Sequence, residues 1–408
     1  MRPSLPGDDR TSRRVVYMDN HSTTRVDPRV VEAMLPYFTE KYGNAGSVSH
    51  PFGWEARDAV ETARQQIARR IGARDKEVVF TSGATESNNL AIRGVALRPR
   101  RKGNHIVSVN TEHKSVLEPL QRLARQGHEV TFLDVRPAGH ADTGRITPEQ
   151  VAAAVRNDTV LVSVMLANNE IGVIQPLRQI GAVCKERHVL LHCDATQAVG
   201  KIPIDVDRLG IDLMSFTAHK LYGPKGIGAL YVRRRKPHVR LEPQITGGGQ
   251  QRGVRSGTLP VPGIVAFAHA LELCCQEMAD ETSRLIDLRR RLLDGLRSRI
   301  PTITLRGPTL AETNLRLAGN LTLSFDGVDG EALLMSIQDL AVSSGAACTS
   351  ANPEPSHVLR ALGMNDDQVR STLRFGLGRF NTEDEVYFAV TTVARAVERL
   401  RAMSGPVR

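Results

Sequence analysis

The sequence predicts an α/β fold with a mainly parallel sheet in a large domain, followed by a smaller α+β domain. Between residues 77 and 232, short β-rich runs alternate with helical patterns, the order in which crossover helices connect parallel strands. Several runs are almost wholly apolar, as strands covered on both faces must be. The pattern changes after the glycine-rich stretch TGGGQQRGVRSGTLP, which predicts a domain boundary near Thr258.

Seven runs are the predicted strands of the large domain: EVVFT, HIVSV, EVTFL, TVLVSVML, VLLHCD, DLMSFT and GALYV. A long helix is expected from about Val261 to Arg299. It is followed by the shorter elements ITL, NLTLSF, GEALLMSIQDL and STLRFGL and by a last helix from Thr382 to Arg401. We therefore divide the chain into an N-terminal extension (1–16), a large domain (17–258), a small domain (259–403) and a tail (404–408).

Length and composition exclude several classes of protein. The 408 residues suffice for two domains, and 41% hydrophobic with 24% charged residues is typical of a globular chain. The net charge of +10 is spread along the sequence and aromatic residues make up only 4%, which disfavours a surface that stacks nucleic-acid bases. No apolar run reaches the roughly 18 residues of a membrane span, and no signal peptide is evident. We expect a cytoplasmic protein with no membrane and no nucleic-acid partner.

Cysteine usage agrees with a reducing compartment. The chain has five cysteines, an odd number without a CxxC pair, which argues against a disulfide framework. Four of them, Cys184, Cys193, Cys274 and Cys275, lie in apolar strand or helix patterns and resemble small buried hydrophobes. Cys348 instead lies in SSGAACTSANPEP, a run of small, polar and proline residues that predicts an exposed loop.

Polar strings follow five of the predicted strands. They are TSGATESN, TEHKS, NNEIG, HCDATQ and SFTAHKLYGPKGIG. Because open α/β sheets bind ligands at the carboxyl ends of their strands, these strings are the first candidates for a site. Residues 82–85 open a helix with small residues and a hydroxyl, which suits a phosphate at a helix N-terminus, although ordinary capping gives the same pattern.

Lys220 is the sharpest chemical signal in the sequence. It follows a predicted strand and precedes the turn at 223–226, where a lysine can bond covalently to a carbonyl cofactor. Chemistry on pyridoxal phosphate needs such a lysine, an acid for the ring nitrogen, phosphate donors and a group over the ring. Asp194 can supply the acid, Gln197 a donor to the ring hydroxyl, and His113 the ring cover. Taken singly, Asp194 is equally a helix cap, His113 a turn residue and Lys220 a surface cation.

Eight strings together carry a resemblance to a known family: TSGATESNNLAI, TEHKSVLEPL, ANNEIGVIQPL, DATQAVGKIPID, DLMSFTAHKLYGPKGIGALYVRRR, GGGQQRGVRSGT, LAVSSGAACTSANPEPSHVLRALG and RFGLGRF. From about Tyr17 to Arg401 the sequence resembles the group I (NifS/IscS-like) cysteine desulfurases of the class-V aminotransferase family. The resemblance implies a fold-type I transferase that depends on pyridoxal phosphate and forms a homodimer. It also implies conversion of L-cysteine to L-alanine, with the sulfur left as an enzyme persulfide.

The resemblance assigns a role to each candidate site residue. It implies that Cys348 is the nucleophile that receives sulfur, that Lys220 holds the cofactor, and that His113 stacks on the ring and moves protons. Asp194 keeps the ring nitrogen protonated. Cofactor contacts are implied for Ala84, Thr85, Asn169, Asp194, Gln197, Thr217, His219, Lys220 and, across the dimer interface, Thr258, and substrate contacts for Asn169 and Arg374. No metal ligand is implied.

The segment MDNHSTTRVDP varies within this family, and we expect His21 to be a loop residue near the cofactor cleft without a catalytic part. The chain ends soon after its last helix, whereas housekeeping members carry a tail that helps dock an iron-sulfur scaffold. We therefore expect a sulfur-acceptor protein, such as an iron-sulfur scaffold, but the sequence does not say which one. Cluster assembly, nitrogen fixation and tRNA thiolation are all compatible with it.

Three other functions share some of these residues. An aminotransferase would use Lys220 and Asp194 but has no need of Cys348. A selenocysteine lyase is a closer alternative, since it would use the same cofactor and scaffold. A metal-binding module is the third, with its ligands drawn from Cys184, His188, His192 and Cys193, but that sequence lacks a paired-ligand motif.

Overall fold

The computed structural model describes residues 15–98, 103–345 and 354–404, so Cys348 lies outside the described residues. In these ranges thirteen strands form three sheets. The strands are β1 Val16–Tyr17, β2 Val78–Thr81, β3 His105–Val109, β4 Glu129–Leu133, β5 Thr159–Ser163, β6 Leu190–Asp194, β7 Leu213–Thr217, β8 Gly228–Val232, β9 Ile303–Leu305, β10 Asn320–Phe325, β11 Leu340–Ala341, β12 Ser343–Ser344 and β13 Thr372–Gly376.

Twelve α-helices accompany these strands in the described part of the chain. They are α1 Pro28–Met34, α2 Pro36–Thr39, α3 Pro51–Arg70, α4 Ala84–Ala96, α5 Lys114–Arg125, α6 Pro148–Ala154, α7 Leu177–Glu186, α8 Val261–Arg299, α9 Gly330–Ser336, α10 His357–Ala361, α11 Asp366–Arg370 and α12 Glu383–Ser404. None of the described helices is long and apolar enough to span a membrane.

The largest sheet has seven strands in the order β2-β8-β7-β6-β5-β3-β4. The five strands from β7 to β4 pair in parallel, while β8 runs antiparallel to both β7 and β2. Strands β3, β7 and β8 are buried along their whole length, and the edge strand β4 is partly exposed. The predicted α/β class with a mainly parallel sheet is thus confirmed.

Two hydroxyl groups on the neighbouring strands form hydrogen bonds with both ring nitrogens of a histidine inside this sheet. His192 on β6 bonds to Ser163 on β5 at 2.8 Å and to Ser215 on β7 at 3.1 Å. Burial lowers the pKa of His192 to about 4, so its ring is neutral and can both donate and accept. Such pairing removes the cost of buried polar groups, and it ties three adjacent strands together beside the site described below.

The smaller sheet has the order β12-β13-β10-β9, and all its pairs are antiparallel. The chain start joins this part of the molecule, because β1 pairs in parallel with β11 and Asp19 forms a bridge with Gly376 at the end of β13. The first described residues therefore lie against the C-terminal sheet, although about 300 residues separate them in sequence.

Helix α8 contributes to two apolar cores. Its first half, from Val261 to Cys274, packs into the core of the large sheet, and residues from Leu285 to Ile300 pack with β10, β13 and α12. Its bounds, Val261 to Arg299, agree with the helix that the sequence predicts. The domain boundaries themselves stay predictions, since one continuous helix serves both cores.

Candidate active site

A cavity of about 690 Å³ lies where the carboxyl ends of the parallel strands approach β13. Ten of the twelve predicted site residues line it: Ala84, Thr85, His113, Asn169, Asp194, Gln197, Thr217, His219, Lys220 and Arg374. Thr258 does not line the cavity of its own chain and is exposed. Cys348, the twelfth, lies outside the described residues.

Lys220 enters the cavity from a short turn directly after β7. Its Nζ donates to the carbonyl oxygen of His21 at 2.7 Å and to that of Ser22. Burial lowers the pKa of Lys220 to about 7, and the nearby positive charges of Lys201 and Arg374 add to the effect. A substantial fraction of this amine is therefore unprotonated at neutral pH, which is the nucleophilic form.

Asp194 ends β6 and is only 4% exposed. One carboxylate oxygen accepts a hydrogen bond from Asn88 Nδ2 at 2.8 Å, and the other accepts from the backbone N–H of Thr196 at 2.9 Å. The carboxylate is thus fixed in direction by two donors from different elements, α4 and the loop after β6. A buried carboxylate held in this way is suited to pair with a cationic ring nitrogen.

A chain of hydrogen bonds connects Asp194 to His113. Asn88 Nδ2 donates to Ser115 Oγ at 2.8 Å, and this hydroxyl lies 2.8 Å from His113 Nδ1. The backbone N–H of Ser115 also donates to His113 Nδ1, at 3.1 Å, as an N-cap of α5. Because a backbone N–H can only donate, Nδ1 is an acceptor, and neutral His113 carries its proton on Nε2.

The His113 side chain borders the cavity and is exposed to it, which leaves its ring face accessible to a ligand. Desolvation by the surrounding protein lowers the pKa of His113, which favours the neutral imidazole. A neutral ring with the proton on Nε2 can lie against an aromatic ligand and donate a hydrogen bond from that atom.

Arg374 lies on β13 and also borders the cavity. Its Nη1 donates to the carbonyl oxygen of Asn169 at 3.0 Å, and its Nη2 donates to Asp19 Oδ1 and Ser343 Oγ, both at 2.7 Å. The Nε–H is buried and has no partner within the described part of the chain. Three segments therefore hold the guanidinium in place, and these bonds use three of its five N–H groups.

The N-terminus of α4 supplies an anion site. The helix begins at Ala84, and no side chain caps its first turn. The free backbone N–H groups of that turn, with the Thr85 hydroxyl beside them, face a cavity that Thr217 and His219 also line. Burial lowers the pKa of His219 to about 4, so it is a neutral donor or acceptor there.

An ion pair fixes the segment before Thr258 against this helix terminus. Arg255 Nε lies 2.8 Å from Glu86 Oε1, and Glu86 Oε2 accepts the backbone N–H of Ser82 at 2.7 Å. Both charged side chains are largely buried. The ion pair thus fixes the segment that carries Thr258 relative to α4. Thr258 itself is exposed and is accessible to a second molecule.

The donor set fits pyridoxal phosphate. An amine with a lowered pKa, a buried carboxylate with two donors and an uncapped helix N-terminus border one cavity, and each matches one part of that cofactor. The cavity volume of about 690 Å³ leaves room for an amino-acid substrate as well.

A second cavity, of about 730 Å³, adjoins the first and shares His113, Asn169 and Arg374 with it. Gly345 and Glu354, the described residues on either side of positions 346–353, line this second cavity. The backbone N–H of Ser356 donates to the Gly345 carbonyl at 2.8 Å. The two described residues that flank the Cys348 segment thus both lie at the edge of the site. The role of Cys348 itself stays a prediction.

Sequence reasoning missed four residues that support the site, namely Asp19, Asn88, Ser115 and Lys201, and it expected His21 only as a loop residue near the cofactor cleft. Asn88 and Ser115 stand within the strings TSGATESN and TEHKS, and their positions in the first turns of a helix after a strand were a usable signal. Asp19 carried none, since it reaches Arg374 only through the pairing of β1 with β11. His21 lies in the expected loop, but it is buried, with 3% of its surface exposed.

The alternative of a metal module finds no support in the geometry. Among the described residues, no three histidine, cysteine, aspartate or glutamate side chains converge as a metal site would require. His192 is engaged with two serines inside the sheet, and Cys184 and Cys193 are buried in the apolar core.

Comparisons with known proteins agree with the geometry. A family model described as aminotransferase class-V matches residues 16–388. The chain is 54% identical over 389 residues to the cysteine desulfurase IscS of Anaeromyxobacter dehalogenans, an alignment that covers 95% of this chain and 94% of the relative.

Two solved structures extend the comparison. A NifS-like protein superposes with a TM-score of 0.85 at 36% identity and covers 95% of this chain and 100% of its own. A structure described as SspA in complex with cysteine gives a TM-score of 0.78 at 34% identity and covers 90% of this chain and 99% of its own.

Proposed function

The chain belongs to the class-V aminotransferases and, within them, to the cysteine desulfurases, and from this premise we propose how its residues divide the work of the reaction. The enzyme depends on pyridoxal phosphate and converts L-cysteine to L-alanine, with transfer of the sulfur to an enzyme cysteine. The observation that carries the assignment of residues is the Lys220 amine, whose pKa is lowered to about 7 in a cavity that also contains Asp194 and Arg374.

The strand ends of the large sheet hold the cofactor. Lys220 would bond to it covalently, Asp194 would hold a proton on the ring nitrogen, and Gln197 would donate to the ring oxygen. The phosphate binds at the N-terminus of α4, where the backbone of Ala84 and the side chains of Thr85, Thr217 and His219 provide donors. When bound, pyridoxal phosphate takes up the electrons that are released when the substrate Cα loses its proton.

Arg374 and Asn169 orient the substrate. The guanidinium of Arg374 borders the cavity and is fixed in its plane, and a positively charged guanidinium suits a substrate carboxylate. Asp19 and Ser343 keep Nη2 engaged and so prevent the side chain from swinging away between turnovers. With the carboxylate held at this end, the substrate amine points toward Lys220.

Lys220 and His113 would act on the protons of the reaction. The Lys220 amine, in its unprotonated form, would take the proton from the substrate Cα at its Nζ. His113 would donate a hydrogen bond from Nε2 toward the substrate, while its Nδ1 accepts from the backbone N–H of Ser115. A pKa lowered to about 7 keeps Lys220 ready to accept a proton near neutral pH, while the lowered pKa of His113 keeps its ring neutral.

Cys348 receives the sulfur. Its thiolate attacks the substrate sulfur, so a new S–S bond forms while the Cβ–S bond breaks and its electron pair stays with the carbon fragment, which is protonated to alanine. The other cysteines are poor rivals, because burial raises the pKa of Cys184 and Cys274 to about 12 and also raises the pKa of Cys193 and Cys275.

A second copy of the chain completes the site. Thr258 is exposed and does not reach the cavity of its own chain, which supports a contact with the cofactor phosphate of the partner. Large apolar side chains are exposed around α1 to α3, and they support an interface of this kind: Leu35, Phe38, Tyr42, Phe52 and Trp54.

From the persulfide, sulfur passes to an acceptor such as an iron-sulfur scaffold protein. A cytoplasmic location remains part of this proposal.

The alternative of a selenocysteine lyase is not favoured, because the similar proteins bear the name cysteine desulfurase. Steady-state rates on cysteine and selenocysteine distinguish the two activities. A desulfurase produces alanine and persulfide sulfur from L-cysteine at a rate that a strict selenocysteine lyase does not approach.

Borohydride reduction of the holoenzyme tests the assignment of Lys220. Reduction should fix the cofactor on the Lys220 peptide, and Lys220→Ala should lose this label while it remains folded. Lys225→Ala is the matched control, since Lys225 lines the same cavity and should leave the label in place. A labelled peptide that contains Lys225 or Lys114 instead would show that the assignment is wrong.

A further inference from the structure

His21, Gln197 and Lys201 form a hydrogen-bonded group at the wall of the main cavity, which we call the Gln197 cluster. His21 and Gln197 line the main cavity, whereas Lys201 and His21 line a small separate cavity of about 30 Å³. Gln197 is 3% exposed and His21 is equally buried. The cluster therefore lies between the cofactor site and the protein interior.

Lys201 fixes which atom of the Gln197 amide faces it. Its Nζ lies 2.8 Å from the Gln197 side-chain oxygen, Oε1. A lysine ammonium has three donors and no acceptor, so the atom it contacts must be the amide oxygen. On the other side, Gln197 Nε2 donates to the carbonyl oxygen of His21 at 2.8 Å, and a carbonyl oxygen can only accept. Both contacts select the same orientation of the amide.

The His21 ring adds a third constraint. Its Nδ1 lies 3.2 Å from Gln197 Oε1, and because that oxygen can only accept, Nδ1 must carry the proton. Nε2 is then bare, which agrees with its position, since it is buried and has no partner among the described residues. Burial keeps the ring neutral by lowering the pKa of His21 well below its usual value, and the positive charges of Lys201, Arg374 and Lys220 act in the same direction.

We infer that His21 and Lys201 are positioning residues that hold the Gln197 amide with its Nε2–H, rather than its oxygen, toward the ring oxygen of the cofactor. The inference rests on the proposed function, in which Gln197 faces that oxygen. The amide nitrogen has two hydrogens, and the carbonyl of His21 takes only one of them. The second is left for a ligand in the cavity, and a reversed amide would place a repelling oxygen there instead.

The charges around Lys201 are compatible with this role. Burial lowers the pKa of its amine to about 8, Arg374 acts in the same direction, and Cys274 and Glu281 oppose it. Glu281 is itself engaged by Tyr222 and Arg379, at 2.6 and 2.9 Å. At neutral pH the amine therefore remains mostly protonated and acts as a donor toward Gln197.

Four variants test the inference by the binding and the spectrum of the cofactor rather than by turnover. Lys201→Met keeps a linear side chain but has no donor, and His21→Leu removes the donor at Nδ1. His21→Asn is the conservative variant, because the amide nitrogen of an asparagine occupies nearly the place of Nδ1 and can donate. Lys185→Met, an exposed lysine on α7, is the control for loss of a positive charge.

Two quantities should change together in Lys201→Met and His21→Leu. Cofactor affinity, from fluorescence titration, should fall by roughly tenfold, which corresponds to about one hydrogen bond to a charged group. The pH midpoint of the visible cofactor absorbance should rise by roughly one unit, because a donated hydrogen bond stabilises the deprotonated ring oxygen. A merely structural role would lower affinity or melting temperature without moving this midpoint. His21→Asn and Lys185→Met should match the wild type in both measurements.

The inference is overturned if Lys201→Met and His21→Leu keep the wild-type pH midpoint although circular dichroism shows that they are folded. It is also overturned if the cofactor affinity of His21→Asn falls as far as that of His21→Leu. If one variant does not fold, Gln197→Glu provides a further test, since its carboxylate cannot donate and should raise the midpoint in the same way. A wild-type protein that binds no pyridoxal phosphate would contradict the proposed function itself, which is a different result from unchanged variants.

Discussion

The cofactor end and the substrate end of the main cavity are assembled in different ways. At the cofactor end, Asp194 and Thr217 end two adjacent parallel strands and Lys220 follows the second of them, so their proximity is a direct consequence of strand order. At the substrate end, Arg374 is held by Asp19, Ser343 and the carbonyl of Asn169, which come from distant stretches of the chain. The first end depends on a single sheet, and the second depends on how the small sheet and β1 pack against it.

This difference has a chemical counterpart. The groups at the cofactor end carry the reaction, because they determine the protonation of the cofactor and of the Lys220 amine. The groups at the substrate end bind and orient. Substitutions at the cofactor end should therefore lower mainly kcat, and substitutions at the substrate end should raise mainly KM.

The largest effect is expected from Asp194→Asn. This change keeps the size of the side chain and its contact with Asn88, but removes the charge that holds the proton on the ring nitrogen. Turnover should fall by roughly 10³-fold while the cofactor stays bound, as is typical when a preorganised charge is lost. Alanine production and the bound cofactor should be measured on the same sample. Turnover within a few-fold of the wild type would contradict the role of Asp194.

A smaller effect of a different kind is expected from Arg374→Lys. Lysine keeps a positive charge near Asp19 but cannot offer two parallel hydrogen bonds to a carboxylate. KM for cysteine should rise by roughly 10- to 100-fold, with a much smaller change in kcat and with unchanged cofactor affinity. If cofactor affinity falls instead, the two ends of the cavity are not separable in the way described.

The sequence predicts the cofactor end of the cavity better than the substrate end. The polar strings at the strand ends correctly predict that Asp194, Gln197, His113 and Lys220 border one cavity, because parallel strands bring their carboxyl ends to one edge. The partner of Arg374 could not be predicted in that way. Asp19 reaches it through two short pairings, β1 with β11 and Asp19 with Gly376, and two-residue strands leave no periodic pattern.

The fold shows the same contrast. All seven strands of the large sheet were predicted, since long apolar runs between helices are a strong signal. The small sheet was predicted only as a set of elements, and β1, β11 and β12 were missed. The Gln197 cluster was missed too. Lys201 and Gln197 are four residues apart, but His21 reaches Gln197 only through a tertiary contact across 176 positions of the sequence.

The pH behaviour of Lys220 offers the smallest but most local test. The folded protein lowers its pKa from 10.5 to about 7, so between these pH values the amine is unprotonated when folded and protonated when unfolded. In cofactor-free protein, competitive labelling of amines should show a midpoint near 7 for Lys220. Partly exposed Lys41 is the internal control, because Glu55 raises its pKa, and it should label only at much higher pH. Parallel titration of the two lysines would contradict the desolvated cavity.

The most direct test of the account is to locate the sulfur. After incubation of the holoenzyme with L-cysteine, mass spectrometry under non-reducing conditions should find a persulfide on the Cys348 peptide. None is expected on Cys184, Cys193, Cys274 or Cys275, whose thiols are buried or have raised pKa values. Cys348→Ser should keep the cofactor absorbance and respond to added cysteine, but make almost no alanine. A persulfide on one of the other four cysteines, or undiminished alanine production by Cys348→Ser, would contradict the proposed sulfur transfer.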